Sequence, residues 1–251
     1  MSVQPTAIIT GAGSGIGRAT TARLSSLGYS VVLAGRGEAA LRAVAEGLGA
    51  GARALVVPTD MGVEGEADRL VDRAVERFGR IDVLVNNAGF GRLLPIGQTS
   101  GALVRECMEV NAIGPALAVL RAWPTFVRQG SGCVVNVSSL STIDPFAGFL
   151  AYAASKAAMN LMADSIAKEG AAVGVSAYCV APGAVETPLL RMNFDEKMIP
   201  GETCLKPEDV AAVIAECVEG RRRADNGRTI GVMRDAAGVR VWTIPRASLA
   251  R

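Results

Sequence analysis

The chain has 251 residues, of which 50% are hydrophobic and 20% charged, and its formal net charge is +2. The length and hydrophobic content favour one globular domain over residues 1–251. The small net charge gives no extended surface of one charge that would attract nucleic acid or a membrane. Histidine is absent and the cysteines form no Cys-x-x-Cys pair, so no metal site is expected.

The cysteines and the amino-terminal segment predict a cytoplasmic protein. Five widely spaced cysteines, an odd number, are typical of reduced and mostly buried thiols. The chain reaches a Thr-Gly turn at residues 10–11, which leaves no room for a signal peptide. No uninterrupted apolar stretch reaches the roughly 20 residues that a membrane-spanning helix needs.

Short apolar runs alternate with longer segments of helical period along the chain. The predicted strands are residues 6–10, 29–35, 52–58, 81–87, 132–139, 173–182 and 228–233. The predicted helices are 18–28, 38–50, 64–79, about 100–129 with a bend or break at Pro115 and Pro124, 150–171 and 206–220. This alternation predicts the α/β class, with a single Rossmann-type doubly wound parallel sheet flanked by helices on both faces.

Two segments do not follow the alternation. Residues 184–206 have no clear period, and a loop of this length inside a compact domain is typically functional or mobile. We expect this segment to be a lid over the substrate. Residues 234–251, which contain Trp242, form an atypical carboxyl-terminal tail.

The sequence TGAGSGIGRAT, residues 10–20, lies between the first predicted strand and the first predicted helix. A glycine-rich turn in this position aims backbone N–H groups and a helix dipole at a phosphate, although a plain tight turn is the alternative. The spacing Gly-x-x-x-Gly-x-Gly differs from the usual dinucleotide pattern. The predicted phosphate-binding residues are Gly11, Ser14, Gly15, Ile16 and Gly17.

The end of the second predicted strand bears on the choice of cofactor. NAD sites place a carboxylate here for the ribose hydroxyls, whereas NADP sites place a cation for the 2′-phosphate. The residues present are Ala34, Gly35 and Arg36, which favours NADP(H) over NAD(H). Glu38 is the competing residue, because it also lies about twenty positions beyond the glycine-rich turn.

Tyr152 and Lys156 stand four residues apart in a predicted helix, so both side chains can face one pocket. In a chain without histidine, this pair is the candidate for proton transfer. A neighbouring ammonium favours the phenolate and is therefore expected to lower the pKa of the tyrosine.

Six motifs in order resemble the short-chain dehydrogenase/reductase family over the chain to about residue 220. They are TGAGSGIG at 10–17, NNAG at 86–89, Asn111, NVSS at 136–139, YAASK at 152–156 and PGAVET at 182–187. The resemblance implies hydride transfer between a nicotinamide and a carbonyl or secondary alcohol of a small, partly apolar substrate.

The resemblance also implies roles for individual residues. Tyr152 would be the general acid or base, Ser139 would hydrogen-bond the substrate oxygen, and Lys156 would hold the nicotinamide ribose. Asn111 would anchor a water that connects Lys156 to solvent; a polar kink next to Pro115 is the alternative. Ser138 is the neighbour that could be mistaken for Ser139.

The remaining implied contacts are to the cofactor. Asp60 would meet the adenine, while Asn87, Ala88 and Gly89 would lie along the adenosine, unless NNAG mainly stabilises the sheet. Pro182, Gly183 and Thr187 would meet the nicotinamide. Candidate pocket-lining residues are Leu93, Leu94, Ile96, Leu140, Phe146 and Phe149, together with Leu189, Leu190, Met192 and Phe194 of the lid.

Assembly and activity leave alternatives open. A homodimer through the long central helices or a homotetramer is expected, but the tail lacks the Asp-Gly-Gly with which many family members end, which weakens the case for a tetramer. An NAD-dependent alcohol dehydrogenase of the same family and a nucleotide sensor without turnover are the alternative functions.

Overall fold

The computed structural model describes residues 4–245. Its strands are β1 (Thr6–Thr10), β2 (Ser30–Gly35), β3 (Ala54–Pro58), β4 (Val83–Asn86), β5 (Gly132–Val137), β6 (Val175–Pro182), β7 (Thr229–Asp235) and β8 (Gly238–Thr243). They form one sheet in the order β3-β2-β1-β4-β5-β6-β7-β8. The first seven are parallel and β8 is antiparallel to β7.

The α-helices connect the parallel strands. They are α1 (Gly15–Ser26), α2 (Glu38–Glu46), α3 (Glu66–Phe78), α4 (Gly101–Met108), α5 (Gly114–Gln129), α6 (Leu150–Gly170), α7 (Pro188–Asn193) and α8 (Pro207–Val218). The predicted doubly wound sheet with helices on both faces is confirmed.

Hydrophobic residues on both faces of the central strands explain why the sheet is buried. On one face, Ile9 of β1 belongs to a core cluster with Leu24 of α1 and Ile214 of α8. On the other face, Ile8 belongs to a cluster with Leu70 of α3 and Phe126 of α5. Strands that are buried on both faces in this way are typical of parallel sheets covered by helices.

The predicted long helix over 100–129 is two helices joined by a π-helical turn, Glu109–Ile113. Pro115 lies in the first turn of α5, where no intrahelical N–H is needed. Pro124 lies inside α5 without ending it, so of the two predicted outcomes, a bend or a break, the break does not occur there. The carbonyl that loses its hydrogen bond belongs to Leu120, whose side chain is on an exposed face of the helix.

The carboxyl-terminal tail contains a strand that was not predicted. β7 continues to Asp235, and a turn at Ala236 and Ala237 leads to Gly238, which has φ 120° and begins β8. The sheet is therefore not entirely parallel. Residues 246–251 of the predicted tail lie outside the described residues.

The segment 184–206, predicted to have no regular structure, contains helix α7 and a short 3₁₀ helix, Gly201–Thr203. Its ends are joined, because Glu186 N donates to Leu205 O at 2.9 Å and Leu205 N donates to Ala184 O at 2.9 Å. Arg191 of α7 pairs with Glu186 and donates to Ile199 O at 2.8 Å. The segment is thus an ordered flap with a narrow base.

All five cysteines are buried and none forms a disulfide. Within residues 4–245, no three side chains of the metal-binding types come together, and no helix is both long and apolar enough to cross a membrane.

Candidate active site

Two adjoining cavities of about 740 and 280 Å³ lie at the carboxyl ends of the parallel strands. Both are lined by Gly11, Ser14, Ala88 and Gly89, which follow β1 and β4. The chain leaves these two neighbouring strands toward opposite sides of the sheet, and the crevice at such a point is where open α/β sheets bind ligands. We refer to the cavities as the large and the small cavity.

The glycine-rich turn brings backbone close to backbone. A Cβ on Gly17 would lie 2.1 Å from Gly11 O, and Gly11 itself has φ 67°. Gly17 therefore supports the turn and lines neither cavity, whereas Gly11, Ser14, Gly15 and Ile16 line the large one. Ser14 precedes α1 without capping it through its side chain, which leaves first-turn N–H groups available to a phosphate.

The small cavity is lined by Arg36 and Asp60, which were predicted to meet the 2′-phosphate and the adenine. Glu38, the competing residue for NAD(H), pairs with Arg42 at 2.5 Å. Arg36 is exposed and forms no ion pair with any residue between 4 and 245. Asp60 Oδ1 accepts a hydrogen bond from Gly62 N at 2.9 Å, which shapes the turn after β3.

Asn87 has a structural role as well as a place on the large cavity. Its Nδ2 donates to Thr10 O at 2.8 Å, and the N–H groups of Asn87 and Ala88 both donate to Thr10 Oγ1 at 3.0 Å. These bonds tie the end of β4 to the end of β1. Ala88 and Gly89 follow as cavity-lining backbone.

Tyr152 and Lys156 lie one turn apart on α6 and both line the large cavity. The alanines around them, at 151, 153, 154, 157 and 158, are strong helix formers. Lys156 is 2% exposed, its Nζ donates to Val137 O at 2.8 Å, and it lies 5.8 Å from the Tyr152 ring centroid.

Ser138 and Ser139 are neighbours in the chain but have different surroundings in the structure. Ser138 is buried and its hydroxyl donates to Lys156 O at 3.0 Å, which fixes α6 against β5. Ser139 lines the large cavity together with Tyr152. Its Oγ accepts a hydrogen bond from Ser141 N at 3.1 Å.

Burial opposes the charged form of both partners in the Tyr152–Lys156 pair. It raises the pKa of Tyr152 to about 12, with the Ser139 hydrogen bond acting in the opposite direction. It lowers the pKa of Lys156 to about 8. The direction for Tyr152 is opposite to the one predicted from the Lys156 ammonium, because burial is the larger effect.

Asn111 is fully buried in the π-helical turn and lines neither cavity. Its Nδ2 donates to Phe90 O at 2.7 Å and to Ser155 Oγ at 2.9 Å, and its Oδ1 accepts from Phe90 N at 2.7 Å. Asn111 therefore ties α6 to the segment after β4. Its predicted link to Lys156 through water stays a prediction.

Pro182, Gly183 and Thr187 line the large cavity where the flap begins. Thr187 caps α7, accepting a hydrogen bond from Leu190 N at 3.2 Å. A Cβ on Gly15 would lie 2.9 Å from Thr187 Cγ2, so the flap meets the glycine-rich turn directly.

The predicted pocket-lining residues divide into two groups. Those that line the large cavity are Leu140, Phe146, Phe149, Leu189, Leu190 and Phe194. Those that line neither cavity are Leu93, Leu94, Ile96 and Met192. Ile96 and Met192 are 71% and 56% exposed, and Leu94 N donates to Gly148 O at 3.0 Å.

Several residues beside the cavity carry no motif signal. A Cβ on Gly91 would lie 2.5 Å from Tyr152 Cδ2, and Asn193 of α7 bonds the backbone of Gly91 and Leu93. Arg240 and Trp242 of β8 line the large cavity. The Gly-Phe-Gly run at 89–91 was the available sign that the chain passes close to something there.

Residues 5–198 match the family model of short chain dehydrogenases. The chain belongs to this family. A relative from Streptomyces violaceoruber, provisionally named granaticin polyketide synthase ketoacyl reductase 2, is 38% identical over 229 residues, which cover 84% of this chain and 88% of the relative. The family membership predicted from the motifs is confirmed.

Solved structures of similar proteins agree with the fold of this short-chain dehydrogenase. A 3-ketoacyl-(acyl-carrier-protein) reductase from Brucella melitensis, complexed with NADH, has a TM-score of 0.85 and 30% identity, covering 91% of this chain and 96% of that one. An actinorhodin polyketide ketoreductase variant with NADPH has a TM-score of 0.85 and 28% identity, covering 92% and 96%. The chain is therefore an oxidoreductase of the short-chain dehydrogenase family.

Proposed function

We propose that this short-chain dehydrogenase reduces the carbonyl group of a small, partly apolar substrate with NADPH. The observation that carries the proposal is the convergence of Ser139, Tyr152 and Lys156 on one cavity that continues into the glycine-rich cleft. Two similar proteins of known structure or sequence are named ketoacyl reductases, which supports a carbonyl substrate.

The cleft fits a dinucleotide. Gly11 and Gly15 leave no side chain between the turn and a phosphate, while Asp60, Ala88 and Gly89 line the adenosine side. Pro182, Gly183, Thr187 and Lys156 would hold the nicotinamide half. When bound, the cofactor supplies the hydride. Arg36 would bind a 2′-phosphate, because it is exposed, unpaired within the described chain and lines the small cavity.

Tyr152 is suited to donate the proton that a reduced carbonyl oxygen needs. Its raised pKa of about 12 keeps the phenol protonated at neutral pH. Ser139 lines the same cavity and would bind the same substrate oxygen as negative charge develops on it. The buried ammonium of Lys156 then stabilises the phenolate that remains.

Tyr152→Phe tests this proposal with a panel of ketones, with NADPH consumption followed by absorbance. We expect a loss of about 10²–10⁴-fold in kcat with the Kd for NADPH unchanged, because only the transferred proton is removed. Tyr29→Phe, a change at a half-buried tyrosine that lines neither cavity, is the control. Full activity in Tyr152→Phe would refute the proton-donor role, and cofactor binding without turnover of any ketone would favour the sensor.

We further propose that the protein acts in the cytoplasm as a homodimer or homotetramer. Five free, buried thiols suit a reducing compartment. Leu120 of α5 and Leu161 of α6 are 68% and 73% exposed, and an interface between copies through these helices would cover them.

A further inference from the structure

The β7–β8 hairpin presents four residues on the face of the sheet that borders the large cavity. The antiparallel register pairs Gly231 with Trp242 and Met233 with Arg240. Side chains two apart on a strand share a face, so these residues form one surface. Met233, Arg240 and Trp242 all line the cavity that contains Tyr152 and Ser139. The hairpin lies beyond the residues matched by the family model.

The packing on this face is specific to these side chains. A Cβ on Gly231 would lie 2.5 Å from Trp242 Cζ2, so the indole occupies the space that a larger residue on β7 would fill. The Arg240 guanidinium stacks over the Trp242 ring, 5.1 Å from its centroid. Stacking of this kind orients a guanidinium while its N–H groups remain available to a ligand.

Arg240 is the unpaired cation of the cavity wall. The charged side chains that line the large cavity within residues 4–245 are Asp144, Lys156, Arg234 and Arg240. Lys156 is buried against Val137 O, and Arg234 pairs with Asp209 at 3.2 Å. Arg240 is exposed and makes no ion pair with any described residue.

We propose that the hairpin forms an anion subsite for the substrate, so that the carbonyl compound carries a carboxylate or phosphate group. Arg240 binds this group, while Met233 and Trp242 contact the apolar body between it and the carbonyl carbon. This inference rests on the proposed reductase function and adds the charge of the substrate to it.

Matched substrates test the proposal: an aryl keto acid, the keto phosphonate of the same skeleton, and the neutral methyl ester of the acid. We expect the wild-type kcat/KM to favour at least one anion over the ester. Arg240→Ala should lower kcat/KM for that anion roughly tenfold, the effect of one charge-assisted hydrogen bond at an exposed site, and leave the ester unchanged. The carboxylate and phosphonate arms distinguish the two anion sources.

Arg77→Ala is the matched control, because Arg77 is also an arginine stacked on an aromatic ring, 5.2 Å from the centroid of Phe78. Arg77 lines neither cavity, so Arg77→Ala should leave kcat/KM unchanged for all three substrates. An equal loss for acid and ester in Arg240→Ala would overturn the anion subsite. A preference for a keto amine that is abolished by Asp144→Asn would overturn it as well, and so would weaker NADPH binding in Arg240→Ala.

A binding measurement separates failure of this inference from failure of the proposed function. The chain has two tryptophans, so Trp123→Phe leaves Trp242 as the single reporter of indole fluorescence. We expect saturable quenching by the keto acid or phosphonate, lost in Trp123→Phe/Arg240→Ala. Quenching without turnover would keep the subsite and reject the reductase. Turnover of the ester, with no difference between the anions and the ester in quenching or kcat/KM, would keep the reductase function and reject the subsite.

Discussion

Tyr152 and Lys156 show how burial acts on single residues. Removal from water opposes both the phenolate and the ammonium, so the tyrosine stays protonated and the lysine gives up its proton more readily. Among residues 4–245, the buried ammonium of Lys156 has one hydrogen-bond acceptor, Val137 O. A charged group held in this way reduces the stability of the fold in exchange for its chemistry.

Lys156→Met is expected to abolish reduction yet raise the free energy of unfolding. The gain should be about 1–2 kcal/mol at neutral pH. This is the cost of burying the ammonium, which the variant no longer has, minus the contribution of the lost hydrogen bond. The folded lysine loses its proton near pH 8 and the unfolded one near about 10.4, so wild-type stability rises with pH between these values. The gain is therefore complete below pH 8 and becomes a net loss before about pH 10.4, where only the lost hydrogen bond remains.

Urea unfolding of both proteins across this pH range measures the difference. Lys168→Met, which removes an exposed lysine paired with Asp164 at 3.0 Å, is the control and should show no such pH dependence. A variant that is less stable than wild type at every pH would contradict the account.

Arg36 determines the preference between cofactors in this proposal. Arg36→Ala should raise the KM for NADPH about 10–100-fold and leave the KM for NADH unchanged, because one charge-assisted contact to the 2′-phosphate is lost. Arg42→Ala is the control, since it releases Glu38 from its ion pair without touching the proposed phosphate site. Retention of the NADPH preference in Arg36→Ala would remove the argument for the phosphate.

At the scale of elements, the flap at 184–206 is joined to the segment behind Tyr152. Asn193 Oδ1 accepts from Leu93 N at 2.8 Å and Nδ2 donates to Gly91 O at 3.1 Å. Gly91 packs against the Tyr152 ring. Phe194 contacts the same tyrosine through Phe149. The ring centroids of Phe194 and Phe149 are 5.7 Å apart, and those of Phe149 and Tyr152 are 5.0 Å apart. The position of the flap and that of the phenol are therefore linked.

Asn193→Ala should lower kcat about tenfold while the Kd for NADPH stays the same, because two hydrogen bonds that hold Gly91 and Leu93 are lost. Stopped-flow reduction and fluorescence titration give the two quantities. Met192→Ala, at an exposed neighbour on α7, is the control. Equal losses in the two variants would show that α7 acts only through its overall stability.

At the scale of the whole molecule, exposed leucines on α5 and α6 bear on assembly. Leu120→Asp with Leu161→Asp should convert the proposed oligomer to a monomer, since each buried leucine contributes about 1.5–3 kcal/mol. Light scattering after size exclusion measures the mass. Ile96→Asp removes an equally exposed apolar residue outside these helices and should leave the mass unchanged. An unaltered mass in the double variant would place the interface elsewhere.

Local patterns were sufficient for the alternating strands and helices and for most of the predicted residues that line the two cavities. Each rests on neighbours in the chain: Gly11 and Gly15 need positive φ in one turn, and Tyr152 and Lys156 share one helical face. The structure brings Ser139 to the same cavity. Where the pattern was mixed, as in the segment that contains α7, prediction failed because contacts with the rest of the fold outweighed local preference.

The sequence by itself determined the family and the alternation of strands and helices, because these follow from short-range spacing. Tertiary structure alone decided that Asn193 holds Gly91, that Arg240 and Trp242 face the cavity, and that burial raises the pKa of Tyr152. These depend on residues up to about a hundred positions apart in the chain, and on the loss of water around them, neither of which a local pattern records.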